Sequence, residues 1–187
     1  MNFAFLVSFL ASISTLLGAA VLFIEYKDKN KLISKSLSFA SGVMIAVSIL
    51  DLIPSSVIGL SKNFYIFPST LLTLSFMVIG IIVSLLINKY LPSDFEKVKD
   101  SKLYKIGIFS MLAIILHNIP EGIATFLTTN ANAKLGITLA IAIALHNIPE
   151  GISISVPLYF GTGSKTKAIL YTFISGISEF FGSILAY

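Results

Sequence analysis

The sequence predicts an all-α fold, a polytopic transmembrane helix bundle with six spans and its N-terminus outside. Three observations carry this. Hydrophobic residues make up 56% of the chain and charged residues only 12%, about half the quarter expected of soluble domains. The apolar residues fall into six long runs, and the lysines lie between those runs or at their ends. A soluble protein of 187 residues could not cover so much apolar surface with one core.

The six runs cover residues 3–24, 37–60, 66–87, 106–128, 135–160 and 168–187, within a single transmembrane domain over 1–187. Each holds about 20 residues, enough at about 1.5 Å per residue to cross a hydrocarbon core of about 30 Å. Helices are expected because the runs are long and continuously apolar, whereas a membrane barrel needs short alternating strands. The first run could be a signal peptide with Gly18-Ala19-Ala20 as a loose cleavage site. It lacks a basic n-region and exceeds the usual apolar length of about 7–15 residues, so a retained helix is expected.

The lysines set the orientation. The connections after spans one, three and five carry Lys27, Lys29, Lys31, Lys35, Lys89, Lys97, Lys99, Lys102, Lys105, Lys165 and Lys167. Those after spans two and four carry only Lys62 and Lys134. Eleven against two is a positive-inside bias, which puts the odd connections in the cytoplasm. The same distribution excludes a nucleic-acid face, because the net charge of +4 is spread over membrane flanks. The partners expected instead are the lipid bilayer and the divalent metal ions argued next.

One repeat dominates the chain. Leu116-His117-Asn118-Ile119-Pro120-Glu121-Gly122-Ile123 recurs residue for residue as Leu145-His146-Asn147-Ile148-Pro149-Glu150-Gly151-Ile152. The copies lie 29 residues apart, one span plus a short turn, so their helices run antiparallel and meet at similar depth. Residues four apart share a helix face, which sets His117 beside Glu121 and His146 beside Glu150. Asn118 and Asn147 precede the same glutamates by three positions. Pro120 and Pro149 free the carbonyls of Leu116 and Leu145, and Gly122 and Gly151 let another helix approach. Imidazoles, carboxylates and amide oxygens together suit zinc and other borderline first-row divalent ions. With no cysteine in the chain, thiolate sites are excluded and copper(I), which prefers soft sulfur, is a poor candidate.

Both histidines of the chain lie in these motifs, and only Asp51, Glu121, Glu150 and Glu179 are acids inside apolar spans. Ionisable groups at mid-membrane are costly unless paired, and so mark functional positions. A lone histidine or asparagine there commonly serves as interhelical glue; two copies with a carboxylate on the same face point to a metal. Glu179, central in the sixth span, is a candidate third wall. Asp51, near the outer end of span two and before Pro54, stands equally open to a structural and a functional role. Met44 and the phenylalanines read as apolar packing.

The paired motifs resemble the fourth and fifth helices of the ZIP (Zrt/Irt-like) metal transporters, in the ZupT-type bacterial branch. Phe39-Ala40-Ser41-Gly42-Val43-Met44 is similar to the start of that family's second helix, and Gly176-Ile177-Ser178-Glu179 to its sixth. The resemblance implies a binuclear site, with His117, Glu121, His146 and Glu150 around one ion. Asn118, Asn147 and Glu179 would hold a second, with Glu121 and Glu150 bridging. It further implies movement of Zn2+ toward the cytoplasm, with Fe2+, Mn2+, Co2+ and Cd2+ as further candidate substrates. A multi-pass protein of the plasma membrane, the bacterial inner membrane, follows. The connection after span three lacks the histidines common in the family, so metal sensing there is not expected.

The family has eight helices and this chain ends near the sixth, so the last two are expected to be absent. A homodimer is one way to supply the lost packing; metal binding without transport is the alternative. No enzyme is expected. An intramembrane metalloprotease would need His-Glu-x-x-His on one helix, whereas here each helix carries His-x-x-x-Glu with a proline inside.

Overall fold

A computed structural model describes residues 2–96 and 98–187; Lys97, one of the expected cytoplasmic lysines, lies outside them. The described residues are mostly helical and contain no strand. The elements are α1 (Asn2–Gly18, continued by a 3-10 turn over Ala19–Phe23), α2 (Lys29–Val47), a π-helical turn (Ser48–Leu52), α3 (Ile53–Ser61), α4 (Ile66–Tyr90), α5 (Ser101–Ala131), α6 (Ala133–Thr162) and α7 (Lys165–Leu185). With α2 and α3 read as one span through the π turn, six helices are long and apolar enough to cross a membrane.

The helices reach beyond the apolar runs because polar flanks continue them. The second begins at Lys29, eight residues before the expected 37, where Asp28 Oδ1 accepts from the backbone of Asn30 at 2.9 Å and Lys31 at 3.1 Å. A capping carboxylate satisfies N–H groups that have no partner in the first turn. Lys29, Lys31 and Lys35, expected in a connection, therefore lie on α2, as Lys102 and Lys105 lie on α5. Asp100, Asn132 and Ser164 cap α5, α6 and α7 in the same way.

The π turn has a local cause. Pro54 has no N–H and its ring crowds the carbonyl of Leu50 four residues back. The preceding turn widens, and the Ile53 N–H reaches the Ser48 carbonyl five residues back. Such turns inside a helix recur at functional positions.

Helices α1, α5, α6 and α7 form a bundle packed on polar and small residues. Ser8, Ser12 and Thr15 of α1 and Thr172, Ser175, Glu179 and Ser183 of α7 are buried, while Leu6, Leu10, Leu17, Phe173 and Phe181 are exposed. This inversion of a soluble core is expected where lipid surrounds the protein and small residues let backbones approach. An apolar cluster of Leu22, Ile114, Ile154, Val156, Leu158 and Phe160 seals one end. By contrast, the apolar window of the second span buries 0% of its residues and that of α4 6%, against 50% for α1 and 44% for α6 and α7.

The bundle repeats its contacts. Asn118 Nδ2 of α5 donates to the Ser175 carbonyl of α7 at 3.2 Å, and Asn147 Nδ2 of α6 donates to the Ala11 carbonyl of α1 at 3.1 Å. Gly122 of α5 lies against the Glu179 carbonyl as Gly151 of α6 lies against that of Thr15. Gly182 meets the Ile119 carbonyl as Gly18 meets that of Ile148. Residues 11, 15 and 18 of α1 thus take, on α6, the places that 175, 179 and 182 of α7 take on α5. The two halves run in opposite directions, an inverted repeat of the kind transporters place around a central site.

The lysine-bearing ends gather at one rim. Lys165 Nζ stands 4.7 Å from the Phe23 ring centroid and Lys29 Nζ 5.3 Å from that of Phe160. The backbone N–H of Lys99 and of Asp100 both donate to the Gly161 carbonyl.

Candidate metal centre

The two motifs lie where α5 and α6 cross inside the bundle, and both helices run unbroken through Pro120 and Pro149. His146 Nε2 is 2.8 Å from Glu121 Oε1, His117 Nε2 is 3.2 Å from the same oxygen, and His117 Nε2 is 3.6 Å from Glu150 Oε1. Glu121 is thus the shared partner of both imidazoles, whose ring centroids are 6.2 Å apart. One ligand atom each from His117, Glu121 and His146 lies within 4.8 Å of the others, close enough to hold one ion.

One expected pairing is replaced. His146 was expected beside Glu150 on its own helix; it turns instead to Glu121 on the neighbouring one. The helical spacing offers His146 a partner one turn away, but the crossing of α5 and α6 brings the opposing carboxylate closer. His117 keeps its expected partner and also reaches across the crossing.

The second group lies deeper. Glu179 Oε2 accepts from Asn147 Nδ2 at 3.0 Å, so α7 reaches α6 across the bundle. Asn118, one position after His117, is held to α7 one turn before Glu179. Asn118, Asn147 and Glu179 are fully buried, while the His117 side chain keeps 41% of its exposure. It opens into a cavity of about 220 Å³, which it lines with His146, Glu150, Met44 and Ser48 of the π-turn region. Direct contacts therefore join His117, Glu121, His146 and Glu150 and pair Asn147 with Glu179, while Asn118 is held to Ser175 of α7; the seven grade from an open imidazole to sealed amides and a carboxylate.

The donor set argues for a cation. Glu121 Oε2, Glu150 Oε2, Glu179 Oε1, Asn118 Oδ1 and Asn147 Oδ1 are all buried without a hydrogen-bond partner among the described residues. Leaving one such oxygen unpaired costs about 1–3 kcal/mol, more when it is charged. Five together, all acceptors, are complementary to a positive ion and its bound water. Two imidazole nitrogens among hard oxygens favour zinc-like ions over magnesium or calcium, which take oxygen alone.

Asp51 does not join this group; its Oδ1 accepts from Ser55 Oγ at 3.1 Å on an exposed face. The wall formed by α1, through the Ala11 carbonyl and Thr15, was not expected. A faint signal existed in the similarity of Ser12-Ile13-Ser14 to Gly176-Ile177-Ser178. Ser48, in the π turn, was equally unforeseen.

Comparison with known proteins matches residues 93–187 to the family model described as ZIP Zinc transporter. The stretch holds both motifs and Glu179. The chain is 38% identical over 194 residues to "Zinc transporter ZupT" of Streptococcus mutans, covering 98% of this chain and 74% of that protein. The Clostridium perfringens protein of the same name is 37% identical, again over 98% and 74%. That of Oceanobacillus iheyensis is 38% identical over 100% of this chain and 75% of its own length. A bundle crossed by two identical half-sites and likeness of this extent lead to one assignment: the chain is a multi-pass membrane protein that belongs to the ZIP zinc transporter family.

Proposed function

We propose that this protein carries Zn2+ across the bacterial plasma membrane toward the cytoplasm through the centre between α5, α6 and α7. The observation that supports it most is the set of five buried, unpartnered oxygens gathered with two imidazoles. The relatives, each a zinc transporter by name, agree with it. In this reading His117, Glu121, His146 and Glu150 hold one ion, and Asn118, Asn147 and Glu179 a second, with Glu121 and Glu150 bridging. Fe2+, Mn2+, Co2+ and Cd2+ satisfy the same nitrogen and oxygen donors to differing degrees and are further candidate substrates. The role is transport, without an enzymatic step.

In this reading a hydrated ion exchanges water for the His117 imidazole at the cavity beside Met44 and Ser48, whose lining extends to Ala113 and Ile114 on the lysine-rim side of His117. There it is shared with Glu121, the partner of both imidazoles. The positive-inside bias of the lysines supports the orientation used in this reading, with the α1 N-terminus outside. Zinc flux into proteoliposomes tests the reading. The pair Glu121→Ala with Glu150→Ala is expected to abolish uptake and metal binding together. Undiminished uptake by that variant refutes it, and binding without flux in the unmodified protein restricts the role to metal binding.

A further inference from the structure

The inverted repeat matches in these backbone contacts and differs in the side chain that α7 contributes to the centre. Where α7 presents Glu179, α1 presents Thr15. The correspondence rests on the paired contacts of Asn118 with Asn147, Gly122 with Gly151 and Gly182 with Gly18. It extends to the neighbouring serines: Ser178 Oγ donates to the Ser175 carbonyl and Ser14 Oγ to that of Ala11. Thr15 is fully buried, and its Oγ1 has no partner among the described residues. A threonine in a helix commonly donates to the carbonyl four residues back, but in α1 that carbonyl, Ala11, receives the Asn147 amide. Gly176 of α7 lies so close that a Cβ there would stand 3.1 Å from Thr15 Oγ1. The hydroxyl is thus held at the α1–α7 contact, one residue from the carbonyl that anchors Asn118.

Glu179 reaches over to Asn147, on the helix paired with α1. The equivalent direction from Thr15 leads to Asn118, whose Oδ1 is also unpartnered. We propose that Thr15 is an affinity-setting residue of the centre, a neutral counterpart of Glu179 that keeps the second ion loosely held. This rests on the two-ion reading given above. Three carboxylates, Glu121, Glu150 and Glu179, face the centre, so two divalent ions leave one positive charge uncompensated. A fourth carboxylate at position 15 would balance it and hold both ions firmly, because the number of charged ligands tunes the affinity of such sites. Conduction requires binding strong enough for entry and weak enough for release. The hydroxyl meets that requirement by bonding an ion's water, or Asn118, without adding charge.

The test uses the full chain, with zinc affinities and stoichiometry read by chelator competition and uptake read in proteoliposomes. Thr15→Asp is expected to tighten the weaker of two zinc-binding events by about tenfold or more and to lower KM and kcat together. Thr15→Val, of similar shape, is expected to weaken that event severalfold, Thr15→Ser to restore it, and the tighter event to stay unchanged in all three. A Thr15→Asp protein that melts like the unmodified chain yet binds both ions with unmodified affinity overturns the proposal. If crowding against Gly176 prevents that variant from folding, the valine and serine variants decide, and unmodified weak-site affinity in Thr15→Val overturns it. Binding of a single ion by the unmodified chain overturns it too, while leaving the metal centre in place. Absence of all zinc binding refutes the metal centre itself.

Discussion

At the scale of single residues, Glu121 stands at the middle of the centre. Its Oε1 takes both imidazoles and its Oε2 is buried and free for an ion. Glu150 approaches only one imidazole, at 3.6 Å. Glu121→Gln removes the charge that organises both histidines, so its cost should exceed the 10–100-fold loss typical of residues that merely orient a ligand. Glu150→Gln should cost less, and chelator competition in detergent compares the two directly. The same residues set the response to acid. An imidazole or carboxylate binds an ion only after losing its proton, so metal and proton compete and affinity falls as pH falls. Zinc affinity measured from about pH 7.5 down to about pH 5.5 should decline steadily, because protons compete with the metal for the imidazoles and carboxylates. Affinity that is flat across that interval would mean that the histidines are not ligands.

At the scale of elements, the glycine after the glutamate in each motif matters as much as the ligands. Gly122 and Gly151 meet the backbone of α7 and α1 with no room for a side chain, whereas a Cβ on Gly80 of α4 would meet nothing. Gly122→Ala should therefore force α5 and α7 apart, displace Glu179 and cost about 1–3 kcal/mol by overpacking. Gly80→Ala should be neutral or stabilise by about 0.5–1 kcal/mol through helix propensity. Thermal melting of both in detergent, with zinc affinity measured beside it, separates the two effects; equal melting temperatures would contradict the close approach. The contrast also shows what the sequence could disclose. The two motifs are identical, so their helices, their antiparallel sense and six candidate ligands could be read directly, and Glu179 followed from its place as an acid in an apolar span. The partner of His146 could not, because helical spacing sees only one helix while the crossing chooses the nearer carboxylate. The part played by α1 was hidden for another reason: its contacts run through the Ala11 and Thr15 carbonyls, which every residue possesses, and its one distinguishing side chain is a threonine. The π turn was announced only by Pro54, whose missing N–H says that a turn must change and not how.

At the scale of the whole molecule, the chain divides into helices that hold the centre and helices that do not. Every expected ligand lies on α5, α6 or α7, and α1 closes their bundle, whereas α2 touches the centre only through its cavity and α4 buries little besides Ser69 and Thr73. A ligand that binds the folded state stabilises it by RT ln(1 + [L]/Kd), about 2.7 kcal/mol at a hundredfold excess over Kd. That stabilisation should be unevenly distributed. Local opening proceeds in contiguous units with separate free energies, so an ion joining α5 to α6 and α7 must lower the opening rate of those units first. Hydrogen exchange of the protein in nanodiscs, with zinc and then with excess chelator, should show protection gained within α5, α6, α7 and the middle of α1. Exchange in α4 should respond least, because α4 carries none of the expected ligands and meets His117 only across an open cavity. The Glu121→Ala/Glu150→Ala protein should show no zinc-dependent change in any helix, which separates binding at this centre from adsorption elsewhere on the protein. A zinc effect of equal size in α4 and α6 would indicate that the helices move as one body, and the division drawn from their packing would then be wrong.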